Sequence, residues 1–176
     1  MNRLIFLAFA VFGAVCILLF AAPTKASNKG AANQDWPAHL QADRDKTDWK
    51  AKDQAYWKSA LDGETVRVCR DAGTERPWSS AHNHTKSDGV FHCSSCGQGL
   101  FKMDDKFDSG TGWPSFTQPV SAEAVTTHSD TSFGMARTEV KCSRCDAHLG
   151  HVFKDGPQPT GERWCINGVC LLHRPE

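Results

Sequence analysis

Two Cys-x-x-Cys turns, Cys93-Ser94-Ser95-Cys96-Gly97 and Cys142-Ser143-Arg144-Cys145-Asp146, lie 45 residues apart and constrain this chain more than any other feature. Such a turn presents two thiolates to one ion, and a pair of turns completes a tetrahedral four-sulfur site. Zinc suits four thiolates best, because it is redox-inert and has no competing geometric preference. A closed shell leaves no open coordination position, so one zinc per chain is expected to be structural, stapling a small β domain with a modest core. Two local disulfides or redox-active pairs are the other uses of this spacing. A nucleic-acid-binding zinc ribbon would need clustered Lys and Arg with aromatics, which the loops lack, and Lys plus Arg (20) balances Asp plus Glu (20).

At 176 residues the chain has room for one domain and a short appendage. Arg3 precedes an uncharged run from Leu4 to Ala22, built almost wholly of Leu, Ile, Phe, Val and Ala. Thr24-Lys25-Ala26 supplies small residues where a signal peptidase reads, so residues 1–26 are expected to be a cleaved export signal or an uncleaved anchor. Residues 27–44 read as a polar linker and 45–176 as the domain. Trp49, Tyr56, Trp57, Ala60 and Leu61 recur at helical spacing, with Thr47 as cap, Gly63 as terminator and the aromatics facing the core. Thr65 to Arg70 alternates as a short strand carrying Cys69, and Asp71-Ala72-Gly73 turns the chain. Beyond it, short alternations such as Val90-Phe91-His92 and Glu139-Val140-Lys141 lie between Gly, Pro, Ser and Asp, which implies a mostly antiparallel β domain.

Gly161 to Asn167 reads as a strand whose period of two puts Arg163, Cys165 and Asn167 on one face, Trp164 and Ile166 on the other. A cation beside a thiol lowers its pKa and yields the nucleophilic thiolate. The competing reading is a buried structural cysteine. In Lys106 to Phe116, glycines flank Thr111 and Pro114 stiffens the exit, so the loop can hold Trp113 as a rigid wall. Directly after the second knuckle, His148-Leu149-Gly150-His151-Val152-Phe153 offers two imidazoles suited to proton donation or metal binding.

The runs KFDSGTGWPSF (106–116), GMARTEVKCSRCDAHLGHVFKDGPQPTGERWCIN (134–167) and GTERPW (73–78) resemble the B-type methionine sulfoxide reductases, from about Trp49 to Leu172. The resemblance implies two small antiparallel sheets with helices toward the N-terminus: a mostly β, α+β fold. It implies Cys165 as nucleophile, with His148, His151 and Asn167 binding and protonating the sulfoxide oxygen. Trp113, and more weakly Phe153, would wall the substrate methyl, Arg163 would border the substrate, and Cys93, Cys96, Cys142 and Cys145 would hold zinc. The expected activity is reduction of the R epimer of peptide-bound methionine sulfoxide, with thioredoxin or a thioredoxin-like protein as reductant. Thiolate attack on sulfur, proton supply to the departing oxygen and an aromatic wall for the methyl group are what that chemistry requires.

Many members carry the resolving cysteine where this chain has Thr111. Cys170, five residues past Cys165, would lie about 16 Å away and on the opposite face if the strand continued, beyond disulfide reach. Cys69 is therefore expected to resolve Cys165, with Cys170 packed in the strand; direct reduction by an outside thiol is the other route. Oxidised envelope proteins are the expected substrates of a monomeric, exported or periplasm-facing enzyme that meets the membrane only through residues 4–22, if uncleaved. The alternative is a non-catalytic, exported zinc-stapled β module with Cys165 buried and inert.

Overall fold

The alternation of Arg163 and Cys165 with Trp164 and Ile166 becomes a strand because one side of it is apolar enough to be buried. The computed structural model describes residues 36–41 and 44–175. Within them β1 (Val90–Cys93), β2 (Gly99–Lys102) and β9 (Leu171–Arg174) form a three-stranded sheet in the order β2-β1-β9. A six-stranded sheet runs in the order β3-β4-β8-β7-β6-β5. Its strands are β3 (Lys106–Phe107), β4 (Ser115–Phe116), β5 (Val125–Asp130), β6 (Arg137–Cys142), β7 (His148–Phe153) and β8 (Arg163–Ile166). All pairings are antiparallel, as expected. Phe116, Val140, Leu149, Trp164 and Ile166 are buried, and Phe101 of the small sheet stacks on Phe116 of the large one at 4.5 Å, so one core joins both sheets.

The N-terminal part departs from expectation at three points. The helix α1 spans Gln54–Ala60 only, because Asp53 caps it by accepting from the Tyr56 amide at 2.8 Å. Trp49 precedes the helix but stacks on Trp57 at 6.0 Å, and both are buried as anticipated. The strand expected over Thr65 to Arg70 is helical instead. Asp62 accepts from the Glu64 and Thr65 amides at 2.9 Å, so Gly63 opens α2 (Gly63–Thr65), which continues as a π-helical turn, Val66–Arg70. A run this short alternates equally well in either state, and the aspartate cap decides. Finally, part of the expected linker packs on the domain. Trp36 and Leu40 are buried, and the Arg44 guanidinium lies 4.3 Å over the Trp36 ring. Two apolar anchors in a polar stretch leave little trace in composition. Residues 1–26, with the signal or anchor read from them, lie outside the described residues.

The knuckles come together as their spacing predicts. Gly97 and Asp146 occupy the equivalent position in each turn, both left-handed (φ 74° and 58°). Their amides donate to Cys93 O at 2.8 Å and Cys142 O at 2.9 Å. The four sulfurs, all buried, lie within 4.8 Å of one another and can hold one metal ion. Cys93 ends β1 and Cys142 ends β6, so an ion there ties the small sheet to the large one. Metal removal should therefore loosen the whole domain. Cys96→Ser is expected to lose the bound metal and lower the thermal midpoint by roughly 10 °C or more, at about 2–4 °C per kcal/mol for a chain of this size. An unchanged midpoint in a metal-free variant would show that the cluster does not staple the sheets.

Candidate active site

The pairing of β7 with β8 sets His151 opposite Cys165, and β4 sets Ser115 on the other side of Cys165. Cross-strand partners share a face, so these three side chains point the same way. His148 would fall on the opposite face from His151 by simple alternation. A bulge removes that parity: Val140 pairs with Gly150 and Lys141 with His148, leaving Leu149 as an extra residue. Both histidines therefore reach one face, while Leu149 stays in the core. Gly150 takes φ 155°, and a Cβ there would collide with the carbonyl oxygen of Cys165. Only glycine lets the two strands approach this closely.

Cys165, half-buried, lines a pocket of about 150 Å³ with Thr74, Trp113, Arg137, His151, Phe153 and Asn167. Burial pushes its thiol pKa above the ordinary value of 9.0, while the Arg163 guanidinium and the hydroxyls of Thr111 and Ser115 pull it down without prevailing. The sequence reading named the cation correctly but not the outcome, because desolvation of the thiolate outweighs it. Arg163 is held by Asp155, with both contacts at 3.0 Å, and lies 4.4 Å over the Phe153 ring. Thr111 joins Ser109 and Ser115 in a chain of hydroxyl hydrogen bonds at 2.8 Å each.

Each imidazole is braced by a carboxylate. His148 Nδ1 donates to Glu139 Oε1 and His151 Nε2 to Asp130 Oδ2, both at 2.7 Å. Hydrogen bonds from Ser132 and His151, with the Arg137 cation nearby, hold the Asp130 carboxyl well below its usual range. Only His151 lines the pocket; His148 is buried behind it, with ring centroids 5.6 Å apart, and burial pushes its pKa down although Glu139 pulls it up.

Asn167 lies just past β8. Its Oδ1 accepts from the Glu75 amide at 3.0 Å, and its Nδ2 donates to the carbonyl of the bulged Leu149 at 3.0 Å; the second amide N–H remains to a side chain that lines the pocket. Trp113 Nε1 donates to Glu75 O at 3.2 Å, so the aromatic wall hangs on the same segment. Gly110 and Gly112 take φ 69° and 92°, the left-handed angles anticipated around Thr111. Glu75 is a buried carboxylate that sequence reasoning passed over inside its GTERPW motif. It accepts from the Gly168 and Val169 amides at 2.6 and 2.8 Å. Arg137, Thr74, Asp130 and Glu139 were also missed: they are distant in sequence, and only strand pairing brings them to the site.

The cysteines among the described residues divide into three groups. Four form the metal cluster, Cys165 is a free thiol, and Cys69 is bridged to Cys170 with Cα atoms 5.8 Å apart. The expected pairing of Cys69 with Cys165 is thus not the one present, and Cys170 does not pack in a strand. Gly168–Cys170 is a 3-10 turn, and the 16 Å extrapolation fails because β8 ends at Ile166.

The model of the SelR domain matches residues 61–175. This chain belongs to the SelR domain family, the B-type methionine sulfoxide reductases. Among relatives, "Peptide methionine sulfoxide reductase MsrB" of Pseudomonas fluorescens (strain Pf0-1) is 60% identical over 115 residues, covering 65% of this chain and 88% of its own. The protein of the same name from Pseudomonas putida (strain F1) is 57% identical over 119 residues, 68% and 91% of the two chains. That of Pseudomonas savastanoi pv. phaseolicola is 58% identical over 115 residues. The matched span contains the metal cluster, the pocket and the Cys69–Cys170 bridge.

A raised thiol pKa means a small thiolate fraction at neutral pH, so alkylation of Cys165 in the free protein should be slow at about pH 7 and climb to half-maximum above 9.0. Arg163→Met removes a charge that favours the thiolate and should slow alkylation roughly three- to tenfold at pH 8. A rate already on its plateau at pH 7 would show that the cation, not burial, controls the thiol.

Proposed function

We propose that this protein reduces peptide-bound methionine-(R)-sulfoxide to methionine through a sulfenic acid on Cys165. One observation carries the reading: among the described residues, Cys165 is the one cysteine outside the metal cluster and the disulfide, and it opens into the pocket shared by His151, Trp113 and Phe153.

In this mechanism the Cys165 thiolate attacks the sulfoxide sulfur and the oxygen, gaining two protons, leaves as water; water then attacks the Cys165 sulfur, the new S–S bond breaks, and methionine departs with a sulfenic acid left on Cys165. Filling the pocket places the sulfoxide oxygen near His151, whose ring Asp130 orients, and the remaining amide N–H of Asn167 is positioned to help bind it. His148, braced by Glu139, supports His151 from behind and is the nearest reservoir for a second proton. Trp113 packs against the methyl group, with Phe153 and the Arg163 guanidinium closing the far wall. A pocket bounded on one side by an aromatic ring and on the other by proton donors distinguishes the two faces of a chiral sulfur, so one epimer fits.

The metal is zinc, which the donor set supports. Tetrahedral thiolates at about 2.3 Å from zinc are roughly 3.8 Å from one another, and the Cys93–Cys145 and Cys96–Cys142 sulfur pairs are 3.8 and 3.5 Å apart. Its part is structural, since all four positions are taken by protein sulfur. The reductant is a dithiol protein of the thioredoxin type. Residues 1–26 direct the monomer across a membrane, where oxidised envelope proteins are its substrates.

Assay of both epimers of a methionine sulfoxide peptide with dithiothreitol tests the reading. The R epimer should be reduced and the S epimer left, and Cys165→Ser should fall to background. Full activity in Cys165→Ser would mean that another group is the nucleophile.

A further inference from the structure

Cys69 and Cys170 are bridged while Cys165, five residues before Cys170, keeps its thiol at the pocket. Both halves of the bridge stand on elements that are parts of the site. The π-helical turn that carries Cys69 packs on β7 and on the Gly168–Cys170 turn. From it the chain passes Ala72, a non-glycine residue at φ 54°, to reach Thr74 in the pocket wall and Glu75. Glu75 in turn holds Asn167, Gly168 and Val169, three of the four residues between Cys165 and Cys170. The nucleophile, the bridge and the pocket wall are thus joined by one short circuit of chain.

The segment carrying Cys69 is also irregularly hydrogen-bonded. A π turn is an uncommon, loosely bonded form of helix that recurs at functional sites. Here Asp71 N reaches back to Val66 O at 3.1 Å, and Gly73 N is shared between Arg67 O and Val68 O, each at 3.1 Å. Val66, Val68 and Cys69 are buried, so any exchange at Cys69 requires local opening of this segment.

The geometry points to a three-cysteine relay, in which the oxidation produced on Cys165 passes to Cys69 and comes to rest as the Cys69–Cys170 disulfide. The relay rests on the reductase reading above. Substrate reduction leaves Cys165 as a sulfenic acid. The Cys69 thiolate attacks the Cys165 sulfur; the S–O bond breaks, the oxygen takes protons and leaves as water, and a Cys165–Cys69 disulfide forms. The Cys170 thiolate then attacks the Cys69 sulfur; the Cys165–Cys69 bond breaks, the Cys69–Cys170 bond forms, and Cys165 departs as a thiolate. In sum, one sulfoxide and the two thiols of Cys69 and Cys170 give one methionine, one water and one disulfide. The last product is the covalent state of this structure, with the bridge closed and the nucleophile free.

The relay also separates the two partners in space. A cleft of about 1070 Å³ runs beside the elements that carry the bridge, lined by Thr65, Gly168, Val169 and Leu171 among others, and it shares no lining residue with the substrate pocket. Cys69 and Cys170 are buried and do not line that cleft, so an external dithiol reaches the bridge from it only once the Cys69 segment opens, without displacing bound peptide.

Counting methionines formed without reductant tests the relay. The purified protein is reduced with dithiothreitol, freed of it, and mixed with excess methionine-(R)-sulfoxide peptide. With three usable thiols it should release about two methionines per chain, one stored as the bridge and one as a Cys165 sulfenic acid trapped by dimedone. The same protein with the bridge already closed should release about one, as should reduced Cys170→Ser, which should accumulate a Cys165–Cys69 disulfide in peptide mass maps. About one methionine from the fully reduced wild type, or two from Cys170→Ser, would overturn the relay and leave the bridge a structural link. So would Cys170→Ser stalling as a sulfenic acid with no Cys165–Cys69 bond. No methionine from any form would overturn the reductase reading itself.

Discussion

The close approach of β7 and β8 at Gly150 is the constraint from which the site follows. The carbonyl of Cys165 occupies the space that a side chain at 150 would need, so the strands meet only because that position is glycine. The bulge at Leu149 beside it changes the parity of β7 and brings His148 to the face of His151 and Cys165. It also frees the Leu149 carbonyl to accept both the backbone and the side-chain amide of Asn167, at 2.8 and 3.0 Å. Through Asn167 and Glu75 the same irregularity fixes Trp113 on the opposite wall. One extra residue thus aligns the nucleophile, both imidazoles and the aromatic wall.

Electrostatics then sets how the aligned groups behave. Burial disfavours the Cys165 thiolate, and the Arg163 charge and two hydroxyls offset only part of that cost. A thiol that stays protonated in the free protein is protected from stray oxidation, which follows thiolate character. His148 shows the same contest, burial lowering its pKa against the pull of Glu139, and the carboxylates of Glu139 and Asp130 anchor the two imidazole rings through one nitrogen each. Fixing one nitrogen sets the ring orientation, which a proton donor needs before its pKa matters.

Much of this was legible in the sequence, and the limits have physical causes. The Cys-x-x-Cys turns announced the metal cluster because thiolate ligation imposes a fixed local spacing. The two-residue period of 161–167 placed Cys165 on the polar face and Trp164 and Ile166 in the core, as found. The bulge was not legible, since a one-residue insertion into a short strand leaves alternation nearly unchanged; the close succession of His148 and His151 was its only trace. The partners of Cys69 and Cys170 were misread for a related reason. Extending a strand beyond Ile166, and reading Val66 and Val68 as strand alternation, both ignored caps and turns decided by Asp62 and by Glu75, a carboxylate more than ninety residues away from the amides it holds. Trp36 and Leu40 were lost in a polar stretch whose average hid them.

Gly150→Ala, with metal content and circular dichroism confirming the fold, tests whether the site depends on the β7–β8 contact. The strands must separate to admit the methyl group, which displaces Cys165 from His151. A shift of about 1 Å in a reacting group costs on the order of 100-fold. The expected result is a folded, metal-loaded variant whose kcat/KM for methionine-(R)-sulfoxide peptide falls by at least that much. A folded variant with wild-type kcat/KM would contradict it, because the site would not then depend on the β7–β8 contact.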